Sequence, residues 1–231
     1  MADVKSELKK KAAEKAVEQI KSGMVIGLGS GSTACFATLR IGELLKSGEL
    51  KNVIGIPSSI QTENLARELG IPLATFKEYQ KVDITIDGAD EVDENLNLIK
   101  GGGGALLHEK ILAQATKKEI IIVDESKVSK YLGTNWAVPI EVVPFALEVE
   151  KKYLESIGGK PVLRMKGEDS YITDEGNYLL DTNFGEIKNP AALSGQLNGR
   201  AGIAEHGLFI GLASEVIVAK DDGIIALKKV E

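Results

Sequence analysis

Between Asp87 and Lys110 the chain reads Asp87-Gly88-Ala89-Asp90-Glu91, then Lys100 followed by Gly101, Gly102, Gly103 and Gly104, then Glu109-Lys110. Carboxylates, an ammonium and bare backbone amides are thus packed into about two dozen residues. These groups can take a proton from a carbon beside a carbonyl and hold the negative charge that results. Each has a plainer use. Asp87 and Asp90 can cap the turn after a strand, the glycines can be a connector, and Glu109-Lys110 can be a solvent-facing helical pair. Glycines ahead of a helix, however, let backbone amides approach a substrate oxygen with no Cβ in the way. Glu109 then falls about two turns into a helix that begins near Gly102. The concentration of these groups favours chemistry.

A second glycine-rich stretch, Gly27-Leu28-Gly29-Ser30-Gly31-Ser32-Thr33, lies between an apolar run and a helical pattern. Amides at a helix start carry partial positive charge and suit a phosphate. The stretch is not a dinucleotide fingerprint, because the third glycine would fall at Ser32, and it is not a P-loop, because no Lys-Ser/Thr pair closes it. A ligand-free glycine turn is the alternative. The hydroxyls of Ser30, Ser32 and Thr33 favour a phosphate or sugar.

Asp87, Asp90, Glu91, Asp93 and Glu94 together resemble a metal site, but no His or Cys accompanies them. His108 and His206 are read as structural or surface groups, and Cys35 as a small buried apolar residue. No metal and no cofactor are expected. A formal net charge of −6 over 231 residues argues against a duplex nucleic acid partner. One cysteine allows no internal disulfide and favours a reducing compartment. No apolar run has the length of a membrane span, and acids among the first lysines argue against a transit peptide. A soluble, cytoplasmic protein is the expectation.

The elements that must position these residues follow from periodicity. Leu8, Ala12, Ala16, Val17 and Ile20 recur at helical spacing. Met24–Leu28, Val53–Ile56, Val82–Ile86 and Ile120–Val123 read as strands. Helices are expected from the Gly29–Thr33 loop to about Leu45, over Ser59–Leu69 with Ser58 or Ser59 as N-cap, and from the glycine run to about Thr116. Such alternation implies parallel βαβ units in a doubly wound α/β sheet. Ligands in such folds sit beyond the carboxyl ends of the strands, so the loops at Gly29–Thr33, Pro57–Ser59, Asp87–Asp90 and Asp124–Lys127 should converge. From Val138 the order becomes β-α-β-β-α-β, with strand-like Val142-Val143-Pro144, a helix over Phe145–Ile157, and short strands at Val162–Met165, Tyr171–Thr173 and Tyr178–Asp181. A helix from Pro190 to about Leu197 follows. This suggests a small split-βαβ domain. Glu215–Ala219 and Ile224–Leu227 form a closing hairpin. The expected division is residues 1–137 with 208–231 as the α/β domain, and 138–207 as the small α+β domain.

Taken together, Gly29-Ser-Gly-Ser-Thr33-Ala34, Ile86-Asp87-Gly-Ala-Asp90-Glu91, Lys100-Gly-Gly-Gly with Glu109-Lys110, Asp124-Glu-Ser-Lys127 and Gly207-Leu-Phe209 resemble type A ribose-5-phosphate isomerase, essentially from end to end. The resemblance implies a metal-free, cofactor-free interconversion of ribose 5-phosphate and ribulose 5-phosphate. It also implies an inserted ferredoxin-like domain and a homo-oligomer, dimer or tetramer. It places Glu109 as the base, with Asp87, Gly88, Ala89, Asp90, Lys100, Gly101, Gly102 and Gly103 around the sugar. Ser30, Gly31, Ser32, Thr33 and Lys127 take the phosphate side, with Lys9 as a further member. Leu107-His108 before Glu109 is atypical of the family. Catalysis near neutrality asks that a glutamate, ordinarily near pH 4.3, be raised by burial and like charge. Two other readings remain at this stage: a sugar-phosphate-sensing module without turnover, and a coenzyme A transferase, which the glycine run fits poorly.

Overall fold

A computed structural model describes residues 2–228. In chain order the elements begin with α1 (Ala2–Val17), β1 (Val25–Leu28), α2 (Gly31–Ser47), β2 (Ile54–Pro57), α3 (Ile60–Glu68) and β3 (Ile84–Gly88). There follow β4 (Glu91–Val92), β5 (Leu98–Ile99), α4 (Leu106–Ala115), β6 (Glu119–Asp124) and β7 (Val138–Val142). Then come α5 (Leu147–Ser156), β8 (Lys160–Leu163), β9 (Met165–Lys166), β10 (Asp169–Ser170) and β11 (Tyr178–Asn183). The chain closes with α6 (Pro190–Asn198), β12 (Ile203–His206), β13 (Leu208–Phe209), β14 (Glu215–Lys220) and β15 (Gly223–Lys228). The chain divides into two compact units. The first holds the described residues up to Ala89, His108–Lys127 and those from Gly211 on; the second holds Asp90–Leu107 and Val128–Ile210.

The first unit is a six-stranded sheet in the order β15-β14-β6-β3-β1-β2. Its strands pair in parallel except β15, which returns antiparallel from β14 as the expected hairpin. β1 and β6 are buried along their whole lengths, so β1 and the Ile120–Val123 stretch of β6 are continuous apolar runs rather than alternating ones. On one face, Leu8, Ala12, Ala13, Ala16 and Val17 of α1 pack with Ala37 and Ile41 of α2 over Ile26, Ile84, Ile120 and Ile217. A second cluster joins Val25, Ile56, Val82 and Leu112 of α4. The short alanines let α1 lie close to its neighbours, and each buried aliphatic side chain contributes roughly 1.5–3 kcal/mol.

The second unit contains a four-stranded antiparallel sheet, β12-β7-β11-β8, over a core that includes Val138, Ile140, Leu154, Leu180 and Leu197. With α5 and α6 as its two crossovers, this is the split-βαβ order expected from the sequence. A small three-stranded sheet, β13-β5-β4, carries the segment that leads to Lys100. Strands of two residues have too little periodicity to be read from sequence.

The strand expected over Tyr171–Thr173 falls on Asp169–Ser170 instead, and a second expectation also fails. The glycine run does not open a helix. Gly101 and Gly104 have φ of +94° and +89°, a left-handed conformation that ends regular helix and that glycine adopts without cost. The run is a turn closed by the Gly104 amide donating to the Gly101 carbonyl at 2.9 Å. α4 starts only at Leu106, so Glu109 stands in its first turn rather than two turns in.

Candidate active site

In the first unit the loops after β1, β2, β3 and β6 all leave the carboxyl edge of one parallel sheet, because Leu28 is in register with both Pro57 and Ile86, and Gly88 with Ile122. This is the convergence expected of a doubly wound fold. α4 runs back from the same edge: its last residue, Ala115, accepts a hydrogen bond from Val82, which lies at the opposite, amino end of β3. Ten helical residues span about 15 Å, which sets the first turn, with Glu109, toward the carboxyl edge. Glu109 is 5 % exposed, and Asp87 only 1 %.

Asp87 is the pivot of the edge. Its Oδ1 accepts the amides of Ser30 at 3.0 Å and Gly88 at 2.7 Å. The β1 loop can come this close because residue 29 has no side chain: a Cβ there would stand 2.3 Å from Asp87 Oδ1 and 2.5 Å from the Ile86 carbonyl. Ser30 occupies the N-cap position of α2 without capping it. Its hydroxyl donates to Ser59 Oγ at 2.7 Å and lies 2.8 Å from Ser58 Oγ and 3.2 Å from Thr62 Oγ1. Ser59, rather than Ser58, caps α3 by accepting the Thr62 amide. Gly31 and Ser32 are exposed at the α2 start and Thr33 is half-buried; Lys9 Nζ donates to Ser32 Oγ at 2.8 Å. After β6, Asp124 accepts both the amide and the hydroxyl of Ser126, which folds Glu125–Lys127 into one turn and brings half-buried Lys127 to the same edge. Half-buried Gly88 and Ala89 continue from β3.

The second unit holds the rest of the expected set: Asp90, Lys100, Gly101, Gly102 and Gly103. Lys100 is 2 % exposed, its amide donates to the Gly207 carbonyl at 2.9 Å, and its ammonium lies 5.5 Å from the centre of the Phe209 ring. An aromatic face is one of the few apolar surfaces that attracts a cation. Asp90 Oδ2 accepts the Gly102 amide at 2.7 Å, and the Asp90 amide donates to Ile99. Asp87 and Asp90 therefore both bind backbone amides, as their plainer reading anticipates, and in doing so each fixes a glycine-bearing loop.

Glu91 has a different job from the acidic cluster to which its position assigns it. It is fully buried and accepts the amides of Gly133 and Asn135 at 2.8 and 3.0 Å, tying down a loop. Among the described residues no group of three or more His, Cys, Asp or Glu side chains is arranged to hold a metal ion.

Comparison with known proteins decides the family. Residues 54–223 match the family model described as ribose 5-phosphate isomerase A (phosphoriboisomerase A). The chain is 58 % identical over 222 residues to ribose-5-phosphate isomerase A of Desulfatibacillum aliphaticivorans, covering 96 % of each chain. The chain belongs to the ribose 5-phosphate isomerase A family. It is an isomerase. The solved ribose 5-phosphate isomerase A of Methanocaldococcus jannaschii superimposes with a TM-score of 0.92 at 42 % identity, over 96 % of this chain and 99 % of that one. A D-ribose-5-phosphate isomerase solved in complex with phospho-erythronic acid gives a TM-score of 0.94 at 42 % identity, over 96 % and 98 %. These likenesses establish the α/β class and the family fold.

Sequence reasoning overlooked several members of the isomerase's polar framework. Ser58, Ser59 and Thr62 form a hydroxyl cluster around Ser30; the Pro57–Ser59 loop is expected among the converging loops and Ser58 or Ser59 as a cap, but not their bonds to Ser30. The sign available in the sequence is three hydroxyl residues within five positions after an apolar strand. Arg164, which holds the glycine run, carries no local sign, because its partners lie 17 and more than 60 residues away.

Proposed function

We propose that the chain interconverts D-ribose 5-phosphate and D-ribulose 5-phosphate through an enediolate, with Glu109 as the proton carrier. The observation that supports this reading best is the shared carboxyl edge of the first unit's sheet. There the Ser30–Thr33 loop, buried Asp87, the Lys127 turn and the first turn of the Glu109 helix all emerge. Glu109 removes the C2 proton of the open-chain aldose, and the electron pair moves to O1 as the C1–C2 double bond forms. Asp87 assists ring opening and carries the proton between O2 and O1. Glu109 then returns its proton to C1, giving the ketose. One carboxylate facing the C1–C2 edge suffices for both transfers.

Lys100 and the glycine-run amides stabilise the enediolate oxygens, a role suited to donors held in place before charge develops. Asp90 fixes that run through Gly102. Ser30, Gly31, Ser32, Thr33, Lys127 and Lys9 hold the phosphate at the start of α2, where helix amides and cationic side chains add. Phospho-erythronic acid, in complex with which a related isomerase was solved, carries a phosphate and a carboxylate, the two kinds of negative charge this scheme asks the site to hold. No cofactor enters this scheme. We assign the enzyme to the non-oxidative branch of the pentose phosphate pathway and to the cytoplasm, for which the single thiol of Cys35 is a supporting feature. We further propose self-association as a homodimer or tetramer. Exposed apolar side chains such as Phe145, Val149 and Val162 fit contact with a second copy.

The test is turnover of ribose 5-phosphate by the purified chain in excess EDTA. Formation of ribulose 5-phosphate at an undiminished rate is expected. Loss of activity restored by a divalent ion would overturn the metal-free scheme, and binding without turnover would favour a sensing module.

A further inference from the structure

The glycine run of the second unit is gripped from one side. Arg164 Nη1 donates to the carbonyls of Gly101 and Gly102, both at 3.0 Å, and the Tyr171 hydroxyl donates to the Gly103 carbonyl at 3.2 Å. The guanidinium is itself braced: Nε and Nη2 donate to the two carboxylate oxygens of Asp181, a forked arrangement available to arginine and not to lysine. Arg164 and Tyr171 reach the same loop because they are cross-strand neighbours. The Tyr171 amide donates to the Arg164 carbonyl at 2.9 Å, and the ring lies 5.8 Å from the guanidinium carbon.

This grip fixes more than three carbonyls. In a trans peptide the carbonyl of one residue and the amide of the next share a plane and point in opposite directions, and the described chain has no cis peptide. Holding the carbonyls of Gly101, Gly102 and Gly103 therefore aims the amides of Gly102, Gly103 and Gly104. The first donates to Asp90 and the third to Gly101. The Gly103 amide, opposite the carbonyl held by Arg164, has no acceptor among the described residues. Gly103 is exposed, and nothing lies within 4 Å of where its Cβ would be. The peptide that Arg164 holds at the Gly102 carbonyl thus carries, on exposed Gly103, an amide that no described acceptor takes up.

We propose that Arg164, braced by Asp181 and assisted by Tyr171, is a positioning residue that aims the Gly103 amide at the sugar oxygen on which charge develops in the enediolate. The proposal rests on the enediolate chemistry given above. When the C2 proton leaves, the electron pair reaches the carbonyl oxygen, and the amide donates a hydrogen bond to it without giving up its proton. An unheld glycine run would sample many conformations, and a donor that must reorganise during the reaction stabilises it less. Burial holds the Tyr171 phenol above its ordinary range, with Asp174 adding to the effect and Arg164 opposing it, so the hydroxyl remains a donor at neutral pH.

The test compares Arg164→Lys and Tyr171→Phe with the wild-type full chain, reading kcat, KM, C2-hydrogen exchange and Tm. Loss of one oxyanion donor costs about 10²–10³ in kcat, and a donor present but badly aimed costs less. Arg164→Lys is expected to lower kcat and exchange about 10- to 100-fold, and Tyr171→Phe about 3- to 10-fold, with KM within about twofold of wild type. Tyr171→Phe leaves the Arg164–Asp181 pair intact, so it keeps the test decisive should Arg164→Lys fold poorly. Wild-type kcat in Tyr171→Phe, or a rise in KM with kcat unchanged in either variant, would overturn the proposal. A wild-type chain without C2 exchange would instead refute the enediolate reading on which it rests.

Discussion

Replacing Gly29 with alanine tests how the β1 loop and Asp87 hold each other. The new Cβ would stand 2.3 Å from Asp87 Oδ1, 2.4 Å from its Cγ and 2.5 Å from the Ile86 carbonyl. The carbonyl is part of the sheet and accepts the Gly29 amide, so Asp87 must give way. Its Oδ1 holds the amides of Ser30 and Gly88, and hydrogen bonds to a carboxylate contribute about 1.5–3 kcal/mol each. Losing both would cost about 3–6 kcal/mol. Partial relaxation brings the expected cost to about 3 kcal/mol, near the upper end for overpacking. For a chain of this size that lowers Tm by roughly 6–12 °C, and turnover should fall with it, because displaced Asp87 no longer faces the sugar. Gly31→Ala is the comparison. Its φ is +90° with nothing within 4 Å of a new Cβ, so it should cost only about 1–2 kcal/mol of backbone strain. Thermal melts monitored by circular dichroism, with turnover on the same samples, decide the matter. Gly29→Ala with a Tm within 2 °C (roughly one kcal/mol) of wild type and normal turnover would refute the reasoning.

Lys127→Ala removes a proposed charge-assisted phosphate contact worth about 1.5–3 kcal/mol. It should lower kcat/KM for ribose 5-phosphate about 10- to 100-fold and leave residual activity on unphosphorylated ribose nearly unchanged; equal losses on both substrates would place Lys127 elsewhere. Asp83 is held below the usual carboxylate range, first by the Lys117 ammonium that donates to it and then by the Val25 amide. Because the folded value is the lower one, this stabilisation is present above the ordinary value near 3.9 and fades as pH falls through the folded value. Asp83→Asn should therefore narrow the stability gap to wild type as melts are taken from pH 6 to pH 3, and a gap that widens with acid would contradict the assignment.

The parts of the fold legible in the sequence are those whose signal is local. Ile120–Val123 reads as a buried strand because both faces of β6 are covered, and Asp221-Asp222-Gly223 reads as the turn of a hairpin that does form. Glu109 and the glycine run are visible as residue types, but their setting is not. Four glycines before an apolar pattern suggest a helix start, whereas Gly101 and Gly104 take left-handed conformations that postpone the helix to Leu106. β4, β5 and β13 are too short for periodicity; β4 pairs locally with β5, and β13 joins them from about a hundred residues away. Arg164 and Asp181 look like ordinary surface charges in sequence; only the β8–β11 pairing brings them together. Glu91 shows the converse, since a position in an acidic run suggested a ligand and the fold made it a loop anchor.

The central claim is that Glu109 carries the proton. Glu109→Gln keeps size and hydrogen-bonding reach but removes the base, and loss of a general base alone lowers rates about 10²–10⁴-fold. The most direct measurement is exchange of the C2 hydrogen of ribose 5-phosphate with deuterated solvent, followed by NMR, because exchange needs deprotonation and not full turnover. The account predicts that Glu109→Gln melts near the wild-type temperature and loses both exchange and isomerisation. Asp87→Asn should retain some exchange when open-chain sugar is supplied. Near wild-type exchange in Glu109→Gln would contradict the account and make Asp87 or Asp90 the base.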